Sequence, residues 1–219
     1  LNCPSIAYHR GCTACKPCDM VSGWGGAGAF SDGKLTLTPE VGGDLQKYVG
    51  LKKTNHLIDY VDKVYLEFGA EDRLYGIGDN VTNFQLKAKM AGLNMISVPL
   101  RHLGTERCYT LLQRLFGHLC DRIDMQPNRS VSRITVNNNK ITGVVTGDGQ
   151  EIAAKYVIVA PGREGCGWLM QESDRLGLTK YTNPVDIGLR VEVPQPALQE
   201  LTQNLYECKL EFYSRVFKD

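Results

Sequence analysis

The sequence predicts a mixed α/β fold with an α+β insertion, and three stretches carry the prediction. Residues 105–124 put Cys108, Leu111, Leu112, Leu115, Phe116, Leu119 and Ile123 on one stripe of a helix. Residues 132–162 read as consecutive strands joined through Asn137, Asn138 and Asn139 and then Gly147, Asp148 and Gly149, residues suited to tight hairpin turns. Within that run "YVIVA" (156–160) is continuously apolar, the pattern of a strand buried on both faces.

The remaining elements follow in order. Up to residue 34 there is no periodicity, and Cys, Gly and Pro dominate, as in a loop held by something else. "KLTLT" (34–38) alternates apolar with polar and ends at Pro39, a short strand. Leu57, Ile58, Val61, Val64, Tyr65 and Phe68 recur at helical spacing, and Gly69 stands where a C-terminal cap belongs. A second helix is expected over 82–91 and a strand over "NMISVPL" (94–100). Thr105 can cap the long helix, and Glu106 suits its positive end. A helix at 168–176, a strand over "DIGLRVEV" (186–193) and a helix at 197–205 complete the pattern. Three regions are expected: 1–38 with the cysteines and the glycine loop, 39–125 as a helical inserted region, and 126–219 with the hairpins and the last strand and helix.

With 219 residues, 42% apolar and 22% charged, the chain can bury a substantial core. A formal net charge of +1 offers no basic field, so neither nucleic acid nor an anionic membrane is an expected partner. No apolar run is long enough to span a bilayer, and no signal segment opens the chain. Of eight cysteines, four are crowded near the start, while Cys108, Cys120, Cys166 and Cys208 are scattered and read as small buried hydrophobes. A disulfide scaffold would be cysteine-dense throughout, so a reducing, cytoplasmic compartment is expected. The sequons at Asn80 and Asn128 are then chance matches.

"CDMVSGWGGAGAFSDGK" (18–34) contains Gly23, Gly25 and Gly28 at the spacing of a dinucleotide-binding turn. That turn needs an apolar strand directly before it and a helix directly after. "CKPCDMVS" cannot be such a strand, and a strand pattern rather than a helix follows, so the match is a decoy. What remains is a loop whose glycines permit close approach of a flat or anionic ligand, or a plain surface turn. Just upstream, Cys12, Cys15 and Cys18 follow a C-x-x-C-x-x-C spacing, and Cys3 can supply a fourth thiolate. An iron–sulfur cluster and a zinc ion are both compatible with that ligand set, and a redox-active C-x-x-C pair is a third reading.

Together, "CP…GCTACKPC", "SGWGGAGAFSDGKLTLTPEVGG", "RHLGTE", "YVIVAPG" and "PVDIGLRVEVP" resemble the FAD-dependent dehydrogenases, a broad family of FAD-utilising oxidoreductases. The resemblance implies a Rossmann-like FAD-binding domain interrupted by an inserted substrate domain. The ADP-binding G-x-G-x-x-G would lie upstream of residue 1, so an internal piece of a longer protein is expected. Gly23, Gly25, Gly26, Ala27, Gly28, Ser31, Asp32, Gly33 and Lys34 would form one FAD-contacting loop, and Ala160, Gly162 and Arg163 a second contact. The activity implied is hydride or electron transfer between FAD and a small-molecule substrate, with an electron-transfer partner if the cysteines hold a cluster.

Arg101 and His102, beside the start of the long helix, are the candidate catalytic or substrate-binding pair: His can move a proton near neutral pH and Arg can hold an anion. A structural hydrogen bond is the competing role for His102. His9, His56 and His118 have no partner pattern. Trp24 can stack near the flavin or cover it. Two other functions fit parts of the pattern: a zinc-stabilised binding module without enzymatic activity, and a flavoprotein that modifies a macromolecule such as tRNA.

Overall fold

A computed structural model describes residues 3–182 and 185–216; Pro184 of the "PVDIGLRVEVP" block lies outside them. The first half of the chain forms α1 (Pro4–Ala7), a 3₁₀ turn (Gly26–Phe30), β1 (Lys34–Thr36), α2 (Leu45–Val49), α3 (Leu51–Glu67), α4 (Asp79–Met90), β2 (Asn94–Ile96) and β3 (Leu100–His102). Then come α5 (Thr105–Cys120), β4 (Val131–Asn137), β5 (Lys140–Thr146), β6 (Glu151–Ala153), α6 (Cys166–Arg175), α7 (Gln195–Leu205) and β7 (Lys209–Glu211). Strand pairing among the described residues is antiparallel throughout, in three small sheets: β1–β3, β2–β7 and β4–β5–β6. The fold is therefore mixed α and β. Among the described residues no helix is long and apolar enough to cross a membrane.

The chain divides into two units, each assembled from two stretches. The first unit comprises Leu1–Phe30 with Leu115–Ile187, and the second comprises Ser31–Arg114 with Gly188–Asp219. The divisions fall after Phe30, inside the glycine block, and after Arg114, inside α5.

In the first unit, β4 and β5 form a hairpin in which Asn137 faces Lys140. Asn138 and Asn139 both adopt positive φ (+47° and +62°), as a two-residue turn matched to strand twist requires. β4 is the outer strand of its sheet, and side chains of α6 occupy its open edge. The Ile134 N–H donates to Glu172 Oε2 (2.9 Å), Arg175 Nη2 donates to the Ile134 carbonyl (2.6 Å), and Trp168 Nε1 donates to the Ser132 carbonyl (2.9 Å). Glu172 is only 5% exposed, and Arg175 donates to both of its carboxylate oxygens (2.9 and 2.7 Å). Main-chain groups that would otherwise seek another strand are thus satisfied by one helix.

In the second unit, Val81, Phe84 and Ala88 of α4 pack with Met95 of β2 and Leu205 of α7 into the core cluster. Leu205 is 1% exposed. The helix end expected at Gly69 forms: Gly69 takes φ +107°, and the Ala70 N–H closes back on the Tyr65 carbonyl (2.9 Å). The same five-residue closure ends α4 and α6, through Leu93 to Ala88 and Leu178 to Ser173.

Two expected strands are not formed. Residues 156–160 run without a ladder, with Ile158 94% exposed, and residues 186–193 do likewise, with Ile187 96% and Leu189 94% exposed. A strand buried on both faces exists only between neighbours and beneath covering helices. Here the sheet of the first unit ends at Ala153, and no described strand lies alongside either run.

The hydrogen bonds of Arg175, foremost, hold the Glu172 carboxyl below its ordinary 4.5. A carboxyl that ionises lower in the folded than in the unfolded state stabilises fully above its unfolded value, and that contribution is lost as pH falls through the folded one. Glu172→Ala should lower unfolding free energy by about 2 kcal/mol, because Arg175 and the Ile134 N–H lose their acceptor. In urea titrations, the gap between wild type and Glu172→Gln should narrow as pH drops below 4.5; a gap independent of pH would refute the charged role.

Candidate functional site

The glycine loop is shaped by what precedes it. The Cys18 carbonyl accepts the N–H groups of Val21 (3.1 Å) and Ser22 (3.0 Å) and the Ser22 hydroxyl (2.7 Å), turning the chain before the glycines. Gly23, Gly25 and Gly26 then take φ of +77°, +78° and +48°, a path closed to most side chains. The Gly26 N–H bonds the Gly23 carbonyl (3.1 Å), and among the described residues the N–H groups of Gly23 and Gly25 meet no acceptor. Trp24 sets its ring edge-on to Phe116 at 5.5 Å, so it covers the helix.

This loop forms one wall of a cavity of about 870 Å³ in the first unit. That lies within the roughly 300–1,000 Å³ of small-molecule and cofactor sites. The opposing lining comes from 157–165 and from Trp168 of α6, with Val131, Ile134 and Val144 of the sheet as an apolar floor. At Gly165 an added Cβ would lie 2.5 Å from the Pro161 Cβ and 2.8 Å from its carbonyl oxygen, so only glycine lets this turn close. Gly23, Gly25, Gly26 and Ala27 therefore share one cavity with Ala160, Gly162 and Arg163, although some 130 residues separate them. Gly28 does not line it. Arg129, Ser130 and Trp168 do, and no motif marks them; hairpin and helix periodicity was their only signal.

Ser31, Asp32, Gly33 and Lys34 belong to the second unit and build a different cluster. β1 pairs with β3 so that Lys34 faces His102. The Leu103 N–H bonds the Gly33 carbonyl (3.2 Å) and the Gly104 N–H the Asp32 carbonyl (2.9 Å). Gly33 packs so tightly that a Cβ would sit 2.9 Å from the Leu103 Cβ and 3.3 Å from the Cys108 Cβ. The Ser31 hydroxyl accepts the Gly33 N–H (3.1 Å). Lys34 Nζ lies 2.9 Å from Glu207 and 4.0 Å from Asp32, and its bond to Glu207, foremost, raises its ammonium above the usual range.

Tyr206 completes this cluster. Its ring lies 4.2 Å from that of His102 and 5.3 Å from that of Tyr75, and its hydroxyl donates weakly to Asp32 (3.5 Å). Its backbone, at φ 58° and ψ −50°, centres a γ-turn of the rare strained kind, closed by the Glu207 N–H on the Leu205 carbonyl (2.6 Å). Burial, then the Asp32 charge, pushes its phenol above its ordinary value. His102, Asp32 and Lys34 are thus brought together with Tyr206 and Glu207, whose position after an ordinary amphipathic helix gave no sign of a site.

Arg101 takes no part in this cluster. Successive residues of a strand point to opposite faces, so Arg101 turns away from His102. It is 4% exposed and spans Asp62 (2.5 and 2.9 Å), Asp72 (3.1 Å) and the Glu71 carbonyl (3.2 Å). Its guanidinium, held charged chiefly by Asp62, is committed to these partners, and holding an anionic substrate would require breaking them.

The cysteine cluster is dispersed. Cys3 is buried, Cys12 is exposed, and Cys15 and Cys18 are half-buried. Cys12 Sγ accepts the Ala14 N–H (3.4 Å). Among the described residues no three Cys, His, Asp or Glu side chains come together to hold a metal. The spacing gathers the thiols in sequence, but Cys3 turns inward while Cys12 faces solvent, so they do not fit an iron–sulfur cluster or zinc as arranged. Of the scattered cysteines Cys108 is buried as expected, whereas Cys120 and Cys166 are exposed.

Arg101→Ala leaves Asp62 without its bidentate partner and should cost roughly 3 kcal/mol or more of stability, read as a lowered urea midpoint. A variant as stable as wild type would reopen a binding role for Arg101.

Comparison of the chain with protein-family models, with curated proteins and with solved structures gave no match.

Proposed function

We propose that the chain is part of an FAD-dependent oxidoreductase acting on a small-molecule substrate, with the flavin cofactor held in the cavity of the first unit. The observation that carries this reading is the convergence just described: of the residues that the resemblance assigns to FAD, Gly23, Gly25, Gly26 and Ala27 of the first loop line one cavity with Ala160, Gly162 and Arg163, while Gly28 and residues 31–34 do not line it. On this reading the first unit is the cofactor-binding part of a Rossmann-like domain, and residues 31–114 are inserted into it.

The residues present suit the cofactor. Gly23 and Gly25 offer N–H donors of the kind that cradle phosphate oxygens, and a Cβ at Gly23 or Gly162 would meet no protein atom within 4 Å. Val131, Ile134, Val144 and Trp168 give an apolar surface against which a flat ring system excludes water. Bound FAD would supply two-electron chemistry, taking a hydride from the substrate or returning one. The cysteine segment has no role in this reading.

Titration of the purified protein with FAD should quench flavin fluorescence and shift its visible absorbance. Gly23→Ala and Gly162→Ala strain only the backbone at positive φ, costing about 1–2 kcal/mol each. Each should also weaken FAD binding about tenfold or more, since a methyl group then occupies the cradle. A colourless protein that takes up no added FAD would end the reading.

A further inference from the structure

We propose that Arg129 is the phosphate-recognising residue of the cavity, held in position by a clamp of side chains around the 146–150 turn. This rests on the flavin reading and deepens it, since it names the cofactor's diphosphate as the group recognised.

The cationic side chains lining the cavity are Arg129 and Arg163. Arg129 precedes β4, and its side chain is 25% exposed. Nη1 donates to Gln126 Oε1 (2.6 Å), while Nη2 donates to Asp148 Oδ2 (2.9 Å) and to Gln150 Oε1. Asp148 is itself fixed by the Thr146 hydroxyl and by the Gln150 N–H (3.5 Å), and these contacts, that of Thr146 first, hold its carboxyl low and charged. Nε–H and one N–H of Nη1 meet no acceptor among the described residues.

The clamp serves the arginine rather than the turn. The turn already closes on its own backbone, through the Thr146 N–H to the Gln150 carbonyl (2.9 Å) and the Gly149 N–H to the Thr146 carbonyl (2.9 Å). A free surface arginine loses much rotamer freedom when it engages a ligand; one already immobilised loses little. Both edges of its fork run through Nη2, whose N–H groups are taken by Asp148 and Gln150, so the donors left are the separate N–H groups of Nε and Nη1, each able to meet one phosphate oxygen. An immobilised guanidinium with unused donors, on the wall of a cavity that also presents free glycine N–H groups, is a phosphate site built before the ligand arrives.

The test is calorimetric titration of wild type, Arg129→Gln and Arg129→Lys with FAD, riboflavin and inorganic pyrophosphate at low and high salt. Arg129→Gln should weaken FAD and pyrophosphate about tenfold or more, leave riboflavin within about twofold, and flatten the salt dependence. Arg129→Lys should fall between the two. Urea midpoints of the variants report any loosening of the fold. FAD affinity unchanged in Arg129→Gln overturns the assignment, as does an equal loss for riboflavin and FAD, which would make Arg129 a fastener of the turn. Arg129-dependent pyrophosphate binding without FAD binding would sink the flavin reading and leave the phosphate site standing. Wild type that binds neither ligand defeats both.

Discussion

One buried carboxylate, that of Glu172, fastens α6 to the main chain of β4, and the cavity of the first unit depends on that attachment. Glu172 takes the N–H of Ile134 while Arg175 takes its carbonyl, so a helix supplies what a neighbouring strand would otherwise provide. The consequence runs back along the chain. Trp168, one helical turn before Glu172, is brought onto the Ser132 carbonyl. The turn of 161–165, just ahead of the helix, is then presented to the same space as residues 21–27. A buried ion pair by itself is weak support for stability, because desolvation offsets its attraction. Its value here is register: it determines which part of α6 meets which residue of β4.

The residues expected to contact FAD separate into two groups at Phe30 and Ser31. Those before the division, Gly28 apart, share a cavity with the second expected contact, 160–163, and are dominated by backbone donors and apolar walls. Those after it join ionisable side chains: Asp32, Lys34, His102, Tyr206 and Glu207. A single short block, 18–34, feeds both.

Local patterns were legible in the sequence wherever the cause of structure was itself local. The stripe of α5 as far as Leu119, the Asn138–Asn139 turn and the Gly69 helix end all follow from spacing or backbone preference within a few residues, whereas Ile123, expected on that stripe, lies beyond the helix and is exposed. Residues 156–160 and 186–193 misled for the opposite reason: apolar content states that a strand is able to be buried, while the neighbours that would bury it are set elsewhere. For the cysteines, thiols adjacent in sequence still need one common centre in space, and Cys3 is buried while Cys12 is exposed. Arg101 looked catalytic from its neighbours in sequence, and only the third dimension reveals Asp62 and Asp72. Arg129 and Tyr206 left no trace, because what distinguishes them is an assembly of contacts from distant positions.

The tight packing of Gly33 against Leu103 and Cys108 implies an unequal tolerance of change. The charged members around it stand at the surface, where exchange for another polar residue disturbs little of the scaffold. Position 33 has no such latitude, since the smallest added side chain would wedge α5 away from β1 and carry Asp32 and Lys34 with it. Among descendants of this chain, the cluster could therefore be retuned in charge and reach many times over while the one residue without a side chain stays as it is.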